Sequence, residues 1–302
     1  MLDVLLKAGC FIAIIILGST FKKIGIFKDS DFSVLSNVTL KITLPAAIIN
    51  NFANKELDPS MFTLTLLAVF CGAVYIALGF LLNLRNSKEQ RAFEILNYPG
   101  YNIGCFSLPF VQSFLGPIGV ISCCLFDIGN GFICLGGAYS VASMVKDGGK
   151  FSVKRIFRTL SKSIPFLCFV IMPILCLLHV PIPKAVTSFT EIIGNANAFT
   201  AMLMLGIGFK LSADKSQISR IVRVLLVRFS VAAVLAALFY SLLPFSAEIR
   251  KTLVLLVFSP IGSAVPAFTG EMKSDVGLSS AINSISIICS IVFIVLLLII
   301  IP

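Results

Sequence analysis

The sequence is short of the residues that keep a protein in water. Only 13% of its 302 residues are charged, about half of the roughly 25% usual in a soluble domain. A chain that is 58% hydrophobic cannot assemble the polar coat that a water-facing surface needs, so lipid is the expected solvent. Tryptophan is absent and His179 is the single histidine, which excludes a zinc site built on several imidazoles. HExxH, P-loop and GxSxG motifs are missing, so nothing points to metalloprotease, nucleotide-phosphate or serine-hydrolase chemistry, and no enzyme activity, cofactor or metal is expected. There is no CxxC among the nine cysteines, and all nine fall inside apolar stretches, so a disulfide framework is not expected either. Long polar linkers and low-complexity tracts are also missing. No small-residue cleavage site precedes Lys22-Lys23, so the first apolar run reads as a retained helix and not as a cleaved signal.

What the chain does have is long apolar runs. Crossing the ~30 Å hydrocarbon core takes ~20 mostly apolar residues as a helix. Ten spans are expected, at about 4–21, 32–53, 60–84, 92–114, 117–143, 160–179, 184–209, 221–243, 249–270 and 275–301. The fold class is therefore an all-α polytopic membrane protein with ten transmembrane helices. The net charge of +10 is distributed by side. Lys and Arg number 18 in and beside the odd connections but four beside the even ones. Cytoplasmic loops are the basic ones, so the odd connections are expected inside and both termini outside, in the cell (inner) membrane. The basic balance is a topology signal, and nucleic acid is not an expected partner.

The chain also reads as two halves, 1–149 and 150–302, each with five spans. Span four contains Pro99, Gly100, Gly104 and Pro109; span nine contains Pro260, Gly262, Pro266 and Gly270. Pro109 and Pro266 lie 157 residues apart, as do Pro117 and Ser274 near the starts of spans five and ten. Five crossings are an odd number, so the second half enters from the opposite side and the halves form an inverted repeat. Each proline removes an amide donor and crowds the carbonyl four residues back. Such backbone is tolerated at membrane depth where protein or a wet cavity covers it. Matched interruptions in two halves are the sequence pointer to a transporter's binding centre. One such helix is an ordinary kink; two in matched positions favour a site.

The pattern Asn102-x-Gly104-x-Phe106-Ser107-Leu108-Pro109 resembles the fourth-helix motif of the auxin efflux carrier family. So do Leu44-Pro45 in span two, Leu205-Gly206 in span seven, and Ser259-Pro260 followed by a serine-rich tenth span. Ser107 stands where the family's second glycine is expected. The resemblance implies a bacterial-type member, with spans four and nine crossing at their broken centres and spans one, two, six and seven forming a panel. It also implies a secondary active efflux carrier of a small organic anion such as a carboxylate, working by alternating access. An ion channel or a membrane sensor is the alternative; saturable flux with counterflow separates a carrier from both. The bilayer and the organic anion are the expected partners, and a homodimer is left open.

Ionisable residues at membrane depth are functional candidates by default. Asp127 lies near the middle of span five with Asn130 one turn on. The pair is a candidate for a coupling H+ or Na+, with Asn283 of span ten; the bland alternative is a hydrogen-bond partner for a broken helix. Lys41 in span two is a candidate counter-charge for the anion, against a snorkelling amine or a salt bridge to Asp127. Asn102 at the interruption can donate to a carboxylate through its amide, and the family motif places it in the substrate pocket. Gly104, Pro109, Pro260 and Pro266 shape that centre, and Asn195 and Asn197 in span seven complete the candidates. Glu94, Glu191, Glu248 and Glu271 read as solvated helix ends.

The charge count fixes an orientation that labelling can check. A cysteine placed at Gly149 should escape a membrane-impermeant thiol reagent applied to intact cells, and one placed at Ser246 should react. Labelling at Gly149 from outside would reverse the orientation.

Overall fold

In lipid every backbone N–H and C=O has to be paired within its own segment, and the chain answers with helices throughout. The computed structural model describes residues 2–148, 150–210 and 214–301; Gly149, the expected seam between the halves, lies outside the described residues. The helices are α1 (Leu2–Lys23), α2 (Asp31–Val38), α3 (Leu44–Phe52), α4 (Thr63–Leu81), α5 (Lys88–Asn97), α6 (Leu108–Phe114), α7 (Pro117–Phe132), α8 (Ala138–Asp147), α9 (Val153–Leu160), α10 (Ile164–Leu177), α11 (Lys184–Asn195), α12 (Asn197–Gly208), α13 (Ile218–Leu242), α14 (Ala247–Val257), α15 (Val265–Glu271) and α16 (Val276–Ile300). Their starts carry the expected chemistry. The side chains of Ser87, Ser152, Ser163, Ser246 and Asp275 each accept a backbone N–H in the first turn of α5, α9, α10, α14 and α16, which satisfies donors that the helix itself leaves free. Pro117 and Pro266 sit in the first turn of α7 and α15, where a missing N–H costs nothing; Pro45 and Pro109 sit at the start of α3 and α6, each directly after a π-turn.

Among the described residues six helical stretches are long and apolar enough to cross a membrane. They become seven if α9 and α10, bent by 84° at Ser161–Ser163, count as one span. Span two is α2 and α3 joined by a π-turn at Thr39–Thr43, and span five is α7 and α8 joined by one at Ile133–Gly137. The first of these has a direct cause: Pro45 cannot donate to the carbonyl of Lys41, and the wider turn absorbs the lost bond. A third π-turn, Ile103–Ser107, precedes Leu108-Pro109 in the same way.

Spans four and nine are broken as the sequence indicated, and span seven is broken as well. Its two pieces, α11 and α12, part at Ala196, whose N–H turns back to Ile193 at 3.1 Å in a tightened final turn. Asn195 and Asn197 flank the break, and the Asn197 side chain accepts from Thr43 Oγ1 at 3.2 Å. Residues 153–160, expected to be connection and the first residue of span six, form the separate short helix α9, which carries basic residues.

Two helix groups pack against each other. In one, α1 runs along α12, while α10 and α11 both rest on α3. These are spans one, two, six and seven. In the other, α4 packs on α5 and α7, α5 on α8, α14 on α13 and α7, and α15 on α16. The α1–α12 crossing is a backbone contact. A Cβ on Gly206 would lie 3.1 Å from Gly18 Cα and 3.0 Å from the Ile15 carbonyl carbon, so only glycine permits this approach. Outward faces are apolar: Leu66 and Phe70 on α4, Leu226 and Val234 on α13, and Val292 and Leu296 on α16 are exposed, as lipid-facing surfaces require.

Gly206→Leu should therefore pry α1 from α12. Overpacking of this kind costs about 1–3 kcal/mol, a fall of several degrees in the Tm of detergent-purified protein. An unchanged Tm would mean that the two helices do not touch at Gly18.

Candidate functional site

The two broken spans meet. Helix α5 ends at Asn97, and the chain runs irregularly through Tyr98–Asn102 before the π-turn into α6. Pro99 ends the helical hydrogen-bond ladder, and Gly100 turns the chain with φ +82°, a conformation that a side chain resists. Helix α14 ends at Val257, and the chain stays irregular past Pro260 and Gly262 to α15. The strands of irregular backbone touch at one bond: Asn102 N–H donates to the Pro260 carbonyl at 2.9 Å. Beside it the buried hydroxyls of Ser107 and Ser259 share a short hydrogen bond. The serine that replaces the family's second glycine thus ties span four to span nine.

Helix breaks leave free carbonyls. Arg228, in the middle of α13 and fully buried, takes them from both spans. Its guanidinium donates to the carbonyl of Tyr98, to that of Gly100 at 2.8 Å and to that of Ser259 at 2.9 Å. The same group lies 5.4 Å from the ring of Tyr75 and 5.0 Å from that of Tyr101, and the Tyr75 hydroxyl donates to the Arg228 carbonyl at 2.8 Å. Each break is also bracketed by an asparagine from the following span. Asn130 accepts from Tyr101 N–H at 2.9 Å and donates to the Tyr101 carbonyl at 2.8 Å. Asn283 donates to the Ile261 carbonyl at 2.8 Å.

A cavity of about 160 Å³ opens beside the crossing, lined by Asn102, Gly104, Asp127, Asn130, Phe166 and Ser263 among others. Asn102 is 5% exposed, and its side-chain Nδ2 has no partner in the protein. Asp127 accepts from Asn130 Nδ2 at 2.7 Å and faces Gly104, where an added Cβ would lie 3.5 Å from the carboxylate. A second cavity of about 190 Å³ lies against the other side of Ser263 and includes Pro266, Ser280, Asn283, Asp29 and Lys210. At its rim Asp29 pairs with Lys22 at 2.8 Å and Lys210 at 3.6 Å. Hydrogen bonding and charge from Lys22, then the charge of Lys210, hold the exposed Asp29 carboxyl below the usual carboxylate range.

The candidates named from sequence divide into groups. Asn102, Gly104, Asp127 and Asn130 line the first cavity; Pro266 and Asn283 line the second. Pro260 is at the crossing itself, and Pro109 is buried in the first turn of α6. Asn197 is buried behind the site, accepting from Thr43 Oγ1 at 3.2 Å. Lys41 and Asn195 are exposed and outside both linings; Leu40 and Leu44 face the cavity where Lys41 does not.

The model of the family described as membrane transport protein matches residues 10–164. The chain belongs to this membrane transport family. The match covers the auxin-efflux-type motif at Asn102–Pro109 and the Asp127–Asn130 pair. A comparison with curated proteins gave no match.

Two residues of this transporter were misplaced by sequence reasoning. Arg228 is one of the 18 Lys and Arg that the charge count places in or beside the odd connections, yet it lies within the expected span 221–243, in the apolar run Leu-Val-Arg-Phe-Ser-Val. That position was the available signal, since a charge at membrane depth needs partners. Glu94 was read as a solvated helix end. It is fully buried and accepts from Arg220 at 2.8 Å and Arg223 at 3.1 Å, so those cations are also committed to an intramolecular pair. Glu248 and Glu271 are engaged too, with Gly119 N–H and Arg155 respectively.

Asn130→Leu would leave the Tyr101 N–H buried and unpaired and its C=O with the weak Cys134 thiol donor alone. An orphaned group costs about 1–3 kcal/mol, so this variant should unfold at a clearly lower temperature than Asn283→Leu, which releases carbonyls and no N–H. Equal Tm values for the two would show that the Tyr101 bracket does not hold the break.

Proposed function

We propose that this membrane transport protein is a secondary active carrier of a small organic anion, carboxylates being the class in view. Its centre would be the crossing of spans four and nine. The observation that carries this reading is Asn102: an amide donor, buried and without a protein partner, at the wall of a cavity where two broken helices cross. A buried donor left unpaired is costly, and a carboxylate oxygen is the partner that its chemistry suits. The helical stretch Ile103–Phe114 begins beside it and turns its free N–H groups the same way.

The reading extends to architecture. Ten crossings in two inverted halves, 1–149 and 150–302, are supported by the matched prolines, by the asparagine brackets on Tyr101 and Ile261, and by the broken spans four and nine. In the orientation with both termini outside, Ser163 follows the basic connection at Lys146–Lys162, and Asp29 and Lys210 lie on basic connections as well. Both cavities then border the cytoplasmic side, which is the inward-open half of an alternating-access cycle. The site is assigned to Asn102, Gly104, Asp127 and Asn130, with Lys41 and Asn195 outside it.

Asp127 shares the cavity with the anion. Two negative groups within a few ångströms in a low dielectric repel by several kcal/mol, so substrate entry requires a proton on Asp127 or a cation beside it. That requirement links substrate to a coupling ion without any further machinery. No step of bond making is involved, so the activity is transport and not catalysis.

Two measurements test the proposal. Purified protein in proteoliposomes, screened against a panel of organic acids, should show saturable counterflow for at least one, and Asn102→Ala should weaken its binding about ten- to a hundredfold while folding is kept, in line with a charge-assisted hydrogen bond of about 1.5–3 kcal/mol. Unchanged affinity removes Asn102 from the site, and unsaturable flux points to a channel. Asp127→Asn keeps size and abolishes titration. It should lose gradient-driven accumulation and keep exchange; accumulation at the wild-type level would make Asp127 a structural residue.

A further inference from the structure

The buried guanidinium of Arg228 occupies an unusual place. Three carbonyl oxygens, from Tyr98, Gly100 and Ser259, converge on it. They come from the C-terminal ends of two half-helices, α5 and α14. Each such end carries about half a negative charge, and bringing two together away from water calls for a cation between them. In broken-helix carriers unwound carbonyls of this sort coordinate the coupling Na+. Here the cation is covalently attached. Arginine cannot lose its proton in a protein, and no carboxylate among the described residues lies within ion-pairing distance of Arg228. Its positive charge is therefore balanced by backbone dipoles and by the faces of Tyr75 and Tyr101.

We infer that Arg228 is a tethered substitute for an alkali cation: it fills the carbonyl cage at the crossing permanently, so that assembling the substrate site needs no bound Na+. This inference rests on the crossing being the transport centre. Arg228 is a positioning residue in it. It lines neither of the two cavities and acts through the backbone at Ser259–Pro260 and at Tyr98–Asn102, the second of which carries Asn102. The consequence for coupling is specific. With the carbonyl cage taken, Asp127 is the carboxylate that lines the cavity, beside the neutral Asn102, Asn130, Ser263, Tyr101, Cys105 and Cys134, and a proton is the ion that needs no cage.

The test uses the purified full chain and cations alone. Wild-type Tm should be the same in sodium chloride and in N-methylglucamine chloride of equal ionic strength. R228A removes the charge and leaves space. Its Tm should fall by roughly 10 °C in N-methylglucamine chloride, as when one partner of a buried charged network is lost, and should recover by about half, saturably, in sodium or millimolar guanidinium chloride. A purely structural arginine would show no such cation-specific rescue. Saturable stabilisation of the wild type by sodium overturns the inference, as does an R228A protein indifferent to both cations. Should R228A not fold, R228Q or R228M, which empty the cage of charge and keep more of the side-chain volume, take its place in the rescue measurement with the same expected and contrary outcomes; R228K, which keeps a fixed cation, should stay indifferent to sodium, and a sodium response in R228K is contrary to the inference. These readouts involve no organic anion, so the inference can fail while the Asn102 assignment stands, and the reverse.

Discussion

Two helix ends of like polarity are held together at the centre of this protein, and most of its architecture follows from how that is achieved. The C-terminal ends of α5 and α14 point free carbonyls toward each other away from water. Unpaired, each would cost several kcal/mol in hydrocarbon. Arg228 gathers three of them from one position on an unbroken helix, and Tyr75 of α4 holds the Arg228 carbonyl in turn. Asn130 and Asn283 then bracket the irregular backbone from the neighbouring spans. With the negative ends neutralised, the positive ends and the free amide of Asn102 are left facing a cavity.

The packing around the crossing falls into two groups. Spans one, two, six and seven form one group joined by close backbone contact at Gly18–Gly206; the crossing belongs to the other group. The cavity lies between them, with Leu44 and Phe166 from the first group opposite Asn102 and Asp127 from the second. Polar ties such as Ser107–Ser259 and Asn102–Pro260 lie within the second group and keep the site intact as a unit.

Much of this was legible in the residues. Composition sets the solvent, and the proline and glycine clusters locate both breaks, because a missing amide donor acts locally and needs no knowledge of neighbours. Asn102 follows for the same reason. The break in span seven was not legible, since Asn195-Ala196-Asn197 contains no proline and the turn is stabilised by tertiary partners such as Thr43. Arg228 and Glu94 illustrate the other limit. A charge inside an expected span, next to a basic connection, reads equally as part of that connection or as a buried ion, and only the partner decides. For Arg228 that partner is backbone exposed by prolines more than a hundred residues away in span four, and for Glu94 it is two arginines on α13. Lys41 is the converse, a charge in mid-span that turns outward because α3 presents Leu44 to the cavity instead.

The most direct test of the account is a structure of the protein with a transported organic acid bound. The account predicts the carboxylate in the cavity at the crossing, within hydrogen-bonding distance of Asn102 Nδ2 and a few ångströms from Asp127. An anion held instead at exposed cations such as Lys41 or the α9 arginines, with Asn102 still unpartnered, would contradict it.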